Sequence, residues 1–67
     1  MKKEYIISKI NKDVCVRGIT NLKEAKRIAK HLAIELNDEV LFIDCKELDY
    51  PLETMGKYDP LGKWEEL

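Results

Sequence analysis

Between Asn21 and Asn37 apolar residues return every three or four positions, at Leu22, Ala25, Ala29, Leu32 and Leu36. With Ile28 and Ala33 on the flanks, that spacing predicts one amphipathic helix. Asn21 followed three residues later by Glu24 reads as a capping box, and Asn37 with Asp38 ends the run. A single striped helix cannot bury its own apolar face, so the rest of the chain has to supply a sheet for it to cover. The chain is 67 residues long. At that length a domain hides only ~60% of the surface its unfolded form exposes, which leaves one thin core and excludes a two-domain enzyme.

The strands are read from β-branched and aromatic runs. Residues 4–10 alternate Tyr5 and Ile7 with Ile6, Ser8 and Ile10, and Asn11, Lys12 and Asp13 give a polar turn. Val14 to Arg17 then resumes the pattern until Gly18, which makes a hairpin. After the helix, Glu39 to Leu48 forms a third strand around Val40, Leu41, Phe42 and Ile43. The expected fold is α+β, a two-layer ββαβ with a three-stranded antiparallel sheet in the order 2-1-3 and one amphipathic helix. Residues 1–48 form this ββαβ domain. Val40 and Phe42 point to one side of the third strand while Leu41, Ile43 and Cys45 point to the other, so the face without the helix also needs cover. Residues 49–67 are a C-terminal tail that packs on the domain or on a partner, since Tyr50, Leu52, Met55, Tyr58, Leu61, Trp64 and Leu67 make it too apolar for a free linker. Asp49 with Pro51 and Asp59 with Pro60 start turns that Gly56 and Gly62 stop, so the tail is expected to hold short turns rather than a long helix.

Charge is unevenly distributed. Residues 1–34 carry nine Lys or Arg against three acids, a net of +6, and residues 35–67 carry three Lys against ten acids, a net of −7; together they give the chain's −1. The overall pI of about 5.8 lies below the pI of ~9 and above that marks a dedicated nucleic-acid binder. Any basic face is therefore local. The longest apolar run, Val40 to Ile43, is far short of the ~18 residues of a membrane span. No cleavage site follows Met1-Lys2-Lys3, so a soluble, cytoplasmic protein without membrane partners is expected.

No catalytic, metal or cofactor motif stands out, and the chain is read as a non-enzyme needing no cofactor. Cys15 and Cys45 lack the C-x-x-C spacing, and the 2-1-3 order puts a strand between them, so both read as reduced thiols. His31, the only histidine, falls outside the apolar stripe as a solvated helix residue. Lys23, Lys26, Arg27 and Lys30 share an arc of about 100° on the outer helix face and could hold a phosphate backbone. They serve equally well as solvated helix formers, and no interleaved aromatic supports base stacking. Ile34, opposite the stripe, joins Phe42, Tyr58 and Trp64 as a candidate protein interface, which makes a homodimer or an unidentified protein partner plausible.

Three segments carry a resemblance: Lys23-Glu24-Ala25 with Arg27-Ile28-Ala29, then Glu39-Val40-Leu41-Phe42-Ile43, then Met55-Gly56-Lys57-Tyr58-Asp59-Pro60. The arrangement resembles a family of small bacterial ββαβ proteins that carry Ser-Tyr-Gly-x-Asp-Pro near their C-terminus. Cys15 stands near the usual tryptophan of strand two, a Gly-Arg turn after the last strand is missing, and Gly and Tyr of the tail motif are reversed. The resemblance implies the layout and no activity. The function expected is a small binding or regulatory module acting through protein contacts across the open sheet face and the Tyr50 to Trp64 tail, with nucleic-acid binding by the helix flank as the alternative.

Overall fold

The structure, a computed structural model, describes residues 3–67. Strands β1 (Lys3–Lys9) and β2 (Val14–Ile19) precede helix α1 (Leu22–Leu36), and β3 (Leu41–Glu47), β4 (Glu53–Tyr58) and β5 (Trp64–Glu66) follow it. The strands form one antiparallel sheet in the order β2-β1-β3-β4-β5. The α+β class, the single helix and the placement of β1 between β2 and β3 agree with the sequence reading. The sheet has five strands instead of three, because the segment expected to form short turns supplies β4 and β5. The reason lies at β3: without β4 its outer row of backbone N–H and C=O groups would be an open edge. Leu41, Phe42 and Ile43 instead pair with Tyr58, Lys57 and Gly56.

Local chemistry sets the helix ends. The Asn21 side chain accepts from the N–H groups of Lys23 at 2.8 Å and Glu24 at 3.3 Å, satisfying two donors of the first turn. Glu24 does not reach back as a capping box requires; it accepts from Arg27 Nε at 2.9 Å instead. At the other end Asn37 adopts the left-handed conformation, φ 70°, and its N–H donates to the Ala33 carbonyl.

One face of the sheet meets the helix. Tyr5, Ile7, Leu41, Ile43 and Tyr58 rise from the strands against Ala25, Ala29 and Ala33. Hiding Ile7, Leu41 and Ile43 completely contributes about 1.5 to 3 kcal/mol each before entropy is counted. Large side chains on the strands and small ones on the helix let the two layers close up. For that reason Ala33, expected on a flank, is fully buried in the contact, while Leu36 at the end of the stripe is exposed.

The opposite face is closed differently. Asp44 and Lys46 alternate onto Phe42's side of β3, so only Phe42 there is apolar within the strand. Asp44 accepts from Thr54 Oγ1 at 2.8 Å and, at 3.5 Å, from the buried Ser8 hydroxyl. Arg17 holds Glu4 through two guanidinium hydrogen bonds, and Lys57 pairs with Glu65 at 3.5 Å. Hydrogen bonds and ion pairs, packed around the buried Ile6 and half-buried Phe42, thus occupy the face that the sequence reading left for a covering tail.

Candidate interaction surfaces

Two apolar segments follow β3, and the structure treats them oppositely. The first is the loop joining β3 to β4. Its turn is fixed by Tyr50 N–H donating to the Glu47 carbonyl at 3.1 Å and by Asp49 at φ 70°, a conformation Asp tolerates better than most residues. Pro51 then biases Tyr50 to extended backbone. So held, the loop leaves Leu48, Tyr50 and Leu52 exposed by 77%, 62% and 57%. Glu47, Asp49 and Glu53 stand between and beside them, and no basic residue occurs from 47 to 56.

The second segment is the β4–β5 hairpin. Its turn is closed by Asp59, whose carboxylate accepts from the N–H groups of Leu61 and Lys63 at 3.0 and 2.9 Å. Gly62, at φ 82°, lies against Ile34: a Cβ there would stand 2.9 Å from Ile34 Cδ1. Trp64 pairs in register with Tyr58 on the helix side, their ring centroids 4.9 Å apart, and its indole covers Gly56. The Lys26 ammonium sits 4.4 Å above the Trp64 ring. Burial pushes the Tyr58 hydroxyl above its ordinary pKa.

The expected interface residues are therefore split. Tyr58 is buried in the core and Trp64 packs against it. Neither forms a free surface, because the sheet extends further than three strands. Phe42 is half-buried on the far face, its register partners Ser8 and Lys57, and Ile34 is half-exposed beside Gly62. The expected basic strip is also divided. Lys26 faces Trp64 and Arg27 binds Glu24, with Nη2 2.8 Å from Oε2. Among the described residues Lys23 and Lys30 take part in no ion pair.

Cys15 lies exposed on the edge strand β2, Cys45 on β3 packs partly against the core, and both thiols are free. His31 is exposed. Among the described residues no group of three or more His, Cys, Asp or Glu is placed to hold a metal ion, and no helix is long and apolar enough to cross a membrane. A shallow depression of about 370 Å³ beside β5, lined by Lys57, Asp59, Lys63, Trp64 and Glu65, is crossed by the Lys57–Glu65 pair. The Glu4 carboxyl is held below its ordinary pKa by the Arg17 guanidinium, with the Gly18 N–H assisting against partial desolvation. This pairing ties the edge strand β2 to β1.

The sequence reading includes Tyr50 and Leu52 in an apolar contact tail running to Trp64 but does not set the loop at 48–52 apart as a surface of its own. Its signal was present as Leu-Asp-Tyr-Pro-Leu, in which acidic and apolar residues are interleaved around a proline. Compared with family models, with curated proteins and with solved structures, the chain matches none.

Proposed function

We propose that the chain is a small, cytoplasmic, non-enzymatic binding or regulatory module that acts through protein–protein contacts, with the β3–β4 loop as its contact element. The observation that carries this reading is the exposure of Leu48, Tyr50 and Leu52 within five consecutive residues on a turn with fixed backbone geometry. Scattered single apolar residues are ordinary on a protein surface; a cluster of three on one projecting loop is the signature of a contact site. Preorganisation lowers the entropy lost on binding. The same proposal keeps the resemblance to small bacterial ββαβ proteins, which rests on residues 23–29, 39–43 and 55–60. Nucleic-acid binding along Lys23, Lys26, Arg27 and Lys30 has less support, since two of the four side chains are engaged within the chain.

A photo-crosslinking amino acid placed at position 50, and separately at the exposed control position 12, tests the proposal in cells. Discrete adducts from position 50 and none from position 12 are expected, an adduct of twice the chain's mass identifying a second copy. Equal, diffuse labelling from both positions would contradict it.

A further inference from the structure

The acidic, apolar loop has a counterpart on the same molecule. Along the outer side of α1, Lys23, Arg27, Lys30 and Ile34 fall on one stripe at spacings of four, three and four, and all four are exposed. The stripe ends at Ile34, which touches Gly62, the chain neighbour of the exposed Leu61. One surface therefore combines basic side chains with Ile34 and Leu61, and the other combines Glu47, Asp49 and Glu53 with Leu48, Tyr50 and Leu52.

These apolar points cannot meet within one chain. The loop follows the end of β3 near Cys45, which lies across the sheet from Tyr5, and Tyr5 pairs with Ile19 just before the helix begins. Ile34 belongs to the last turns of the helix, which return to the end where Leu41 pairs with Lys9 and Tyr58. Loop and Ile34 thus lie at opposite ends of the sheet. Two loops meeting about a twofold axis would set Glu47, Asp49 and Glu53 against their own copies, which like-charge repulsion opposes.

We propose that the β3–β4 loop of one copy docks on the Lys23–Arg27–Lys30–Ile34 stripe of a second copy, head to tail. The proposal rests on the protein-contact reading above and names the partner as this same chain. Such a contact is heterologous and leaves one unused surface at each end, so association continues with concentration instead of closing at a dimer. The loop offers less than the ~800 Å² per partner of a standard interface, so association is weak, and its charge makes it salt-sensitive.

Sedimentation velocity over a concentration series, at about 20 mM and about 500 mM salt, reads this directly. At low salt the average mass should climb steadily with concentration, and self-association should weaken at least tenfold at high salt. Two variants sharpen the test: Leu48→Ser/Tyr50→Ser/Leu52→Ser removes the loop surface and Lys23→Glu/Lys30→Glu reverses the stripe. Every position changed is exposed, and thermal melts confirm that both variants fold. Each variant alone should remain monomeric, while their equimolar mixture should form a one-to-one complex and stop, since the charge-reversed chain still offers its loop and the loop variant its stripe. A wild-type monomer at every concentration in low salt would overturn the proposal, as would a dimer persisting in either variant alone. If the wild type is monomeric but position 50 still yields discrete adducts with other proteins, the second-copy assignment fails and the protein-contact reading stands; if both are absent, both fail.

Discussion

The chain contains two short segments of the same composition, Asp49-Tyr50-Pro51-Leu52 and Tyr58-Asp59-Pro60-Leu61, and their tyrosines have opposite fates. Tyr50 is 62% exposed and Tyr58 is 6% exposed. Composition does not separate them; register does. Tyr58 lies opposite Leu41 on one side and Trp64 on the other, beneath the helix. Tyr50 lies beyond the last paired residue of β3, where the sheet has ended. The hairpin's aromatics therefore complete a core, while the loop's apolar side chains stay free for contact.

The largest expected effect follows from removing the hairpin. Truncation after Leu48 deletes β4, β5, Tyr58 and Trp64, exposes the edge of β3 and uncovers Leu41 and Ile43, so the remainder should lose its cooperative melt in circular dichroism. A melt like that of the full chain would show the hairpin to be an accessory. Gly56→Ala comes next. An added Cβ would collide with the Trp64 indole and stand 2.7 Å from the Glu65 carbonyl oxygen, so either the ring or the strand must move. We expect a loss of about 2 to 3 kcal/mol in urea unfolding, with Trp64 fluorescence shifted to the red.

Alkaline titration probes the same element. Burial raises the Tyr58 pKa, so the folded state holds the phenolic proton more tightly than the unfolded chain. That contribution is complete below the unfolded tyrosine value of about 10 and is lost as pH rises through the folded value. Stability should therefore fall above about pH 10, and less so in Tyr58→Phe.

How much of this was legible in the sequence follows from where the apolar signal is periodic. The helix announced itself by the period of Leu22 to Leu36, and the β1–β2 hairpin and β3 by the β-branched and aromatic runs around Tyr5 to Ile7 and Leu41 to Ile43. β4 has no such signal. Its inward positions include Gly56, whose role is to leave room for an indole from the next strand, and a glycine followed by a proline four residues later reads as turn chemistry. β5 is three residues long, too short for alternation to appear. The far face was misjudged for a related reason: Phe42 suggested an apolar surface, but its neighbours there, Ser8 on β1 and Lys57 on β4, come from distant parts of the sequence. Of the candidate surface, Ile34 and the basic flank were visible as departures from the helix stripe. The loop does not stand apart in the sequence, because Tyr50 and Leu52 read there as members of one apolar tail that runs to Trp64.

Smaller effects distinguish the two regions further. Lys26→Ala removes the ammonium above Trp64 and should cost about 0.5 to 1 kcal/mol in thermal or chemical unfolding, whereas Lys23→Ala, facing solvent, should cost less. The smallest change per site is expected in the loop, where the Leu48→Ser/Tyr50→Ser/Leu52→Ser variant should shift stability by less than about 0.5 kcal/mol for each position. A large loss there would mean that the loop is part of the core.

Native-state hydrogen exchange, followed residue by residue at a concentration where the chain is monomeric, tests the division between hairpin and loop most directly. Amides in β4 that pair with β3 should exchange only on the global unfolding that also releases β1 and β3, while the amides at 48, 49 and 52, which donate no hydrogen bond among the described residues, exchange near the rate of an unstructured peptide. Exchange in β4 as fast as in the loop would contradict the account, since the Tyr58–Trp64 hairpin would then open independently of the core it is held to complete.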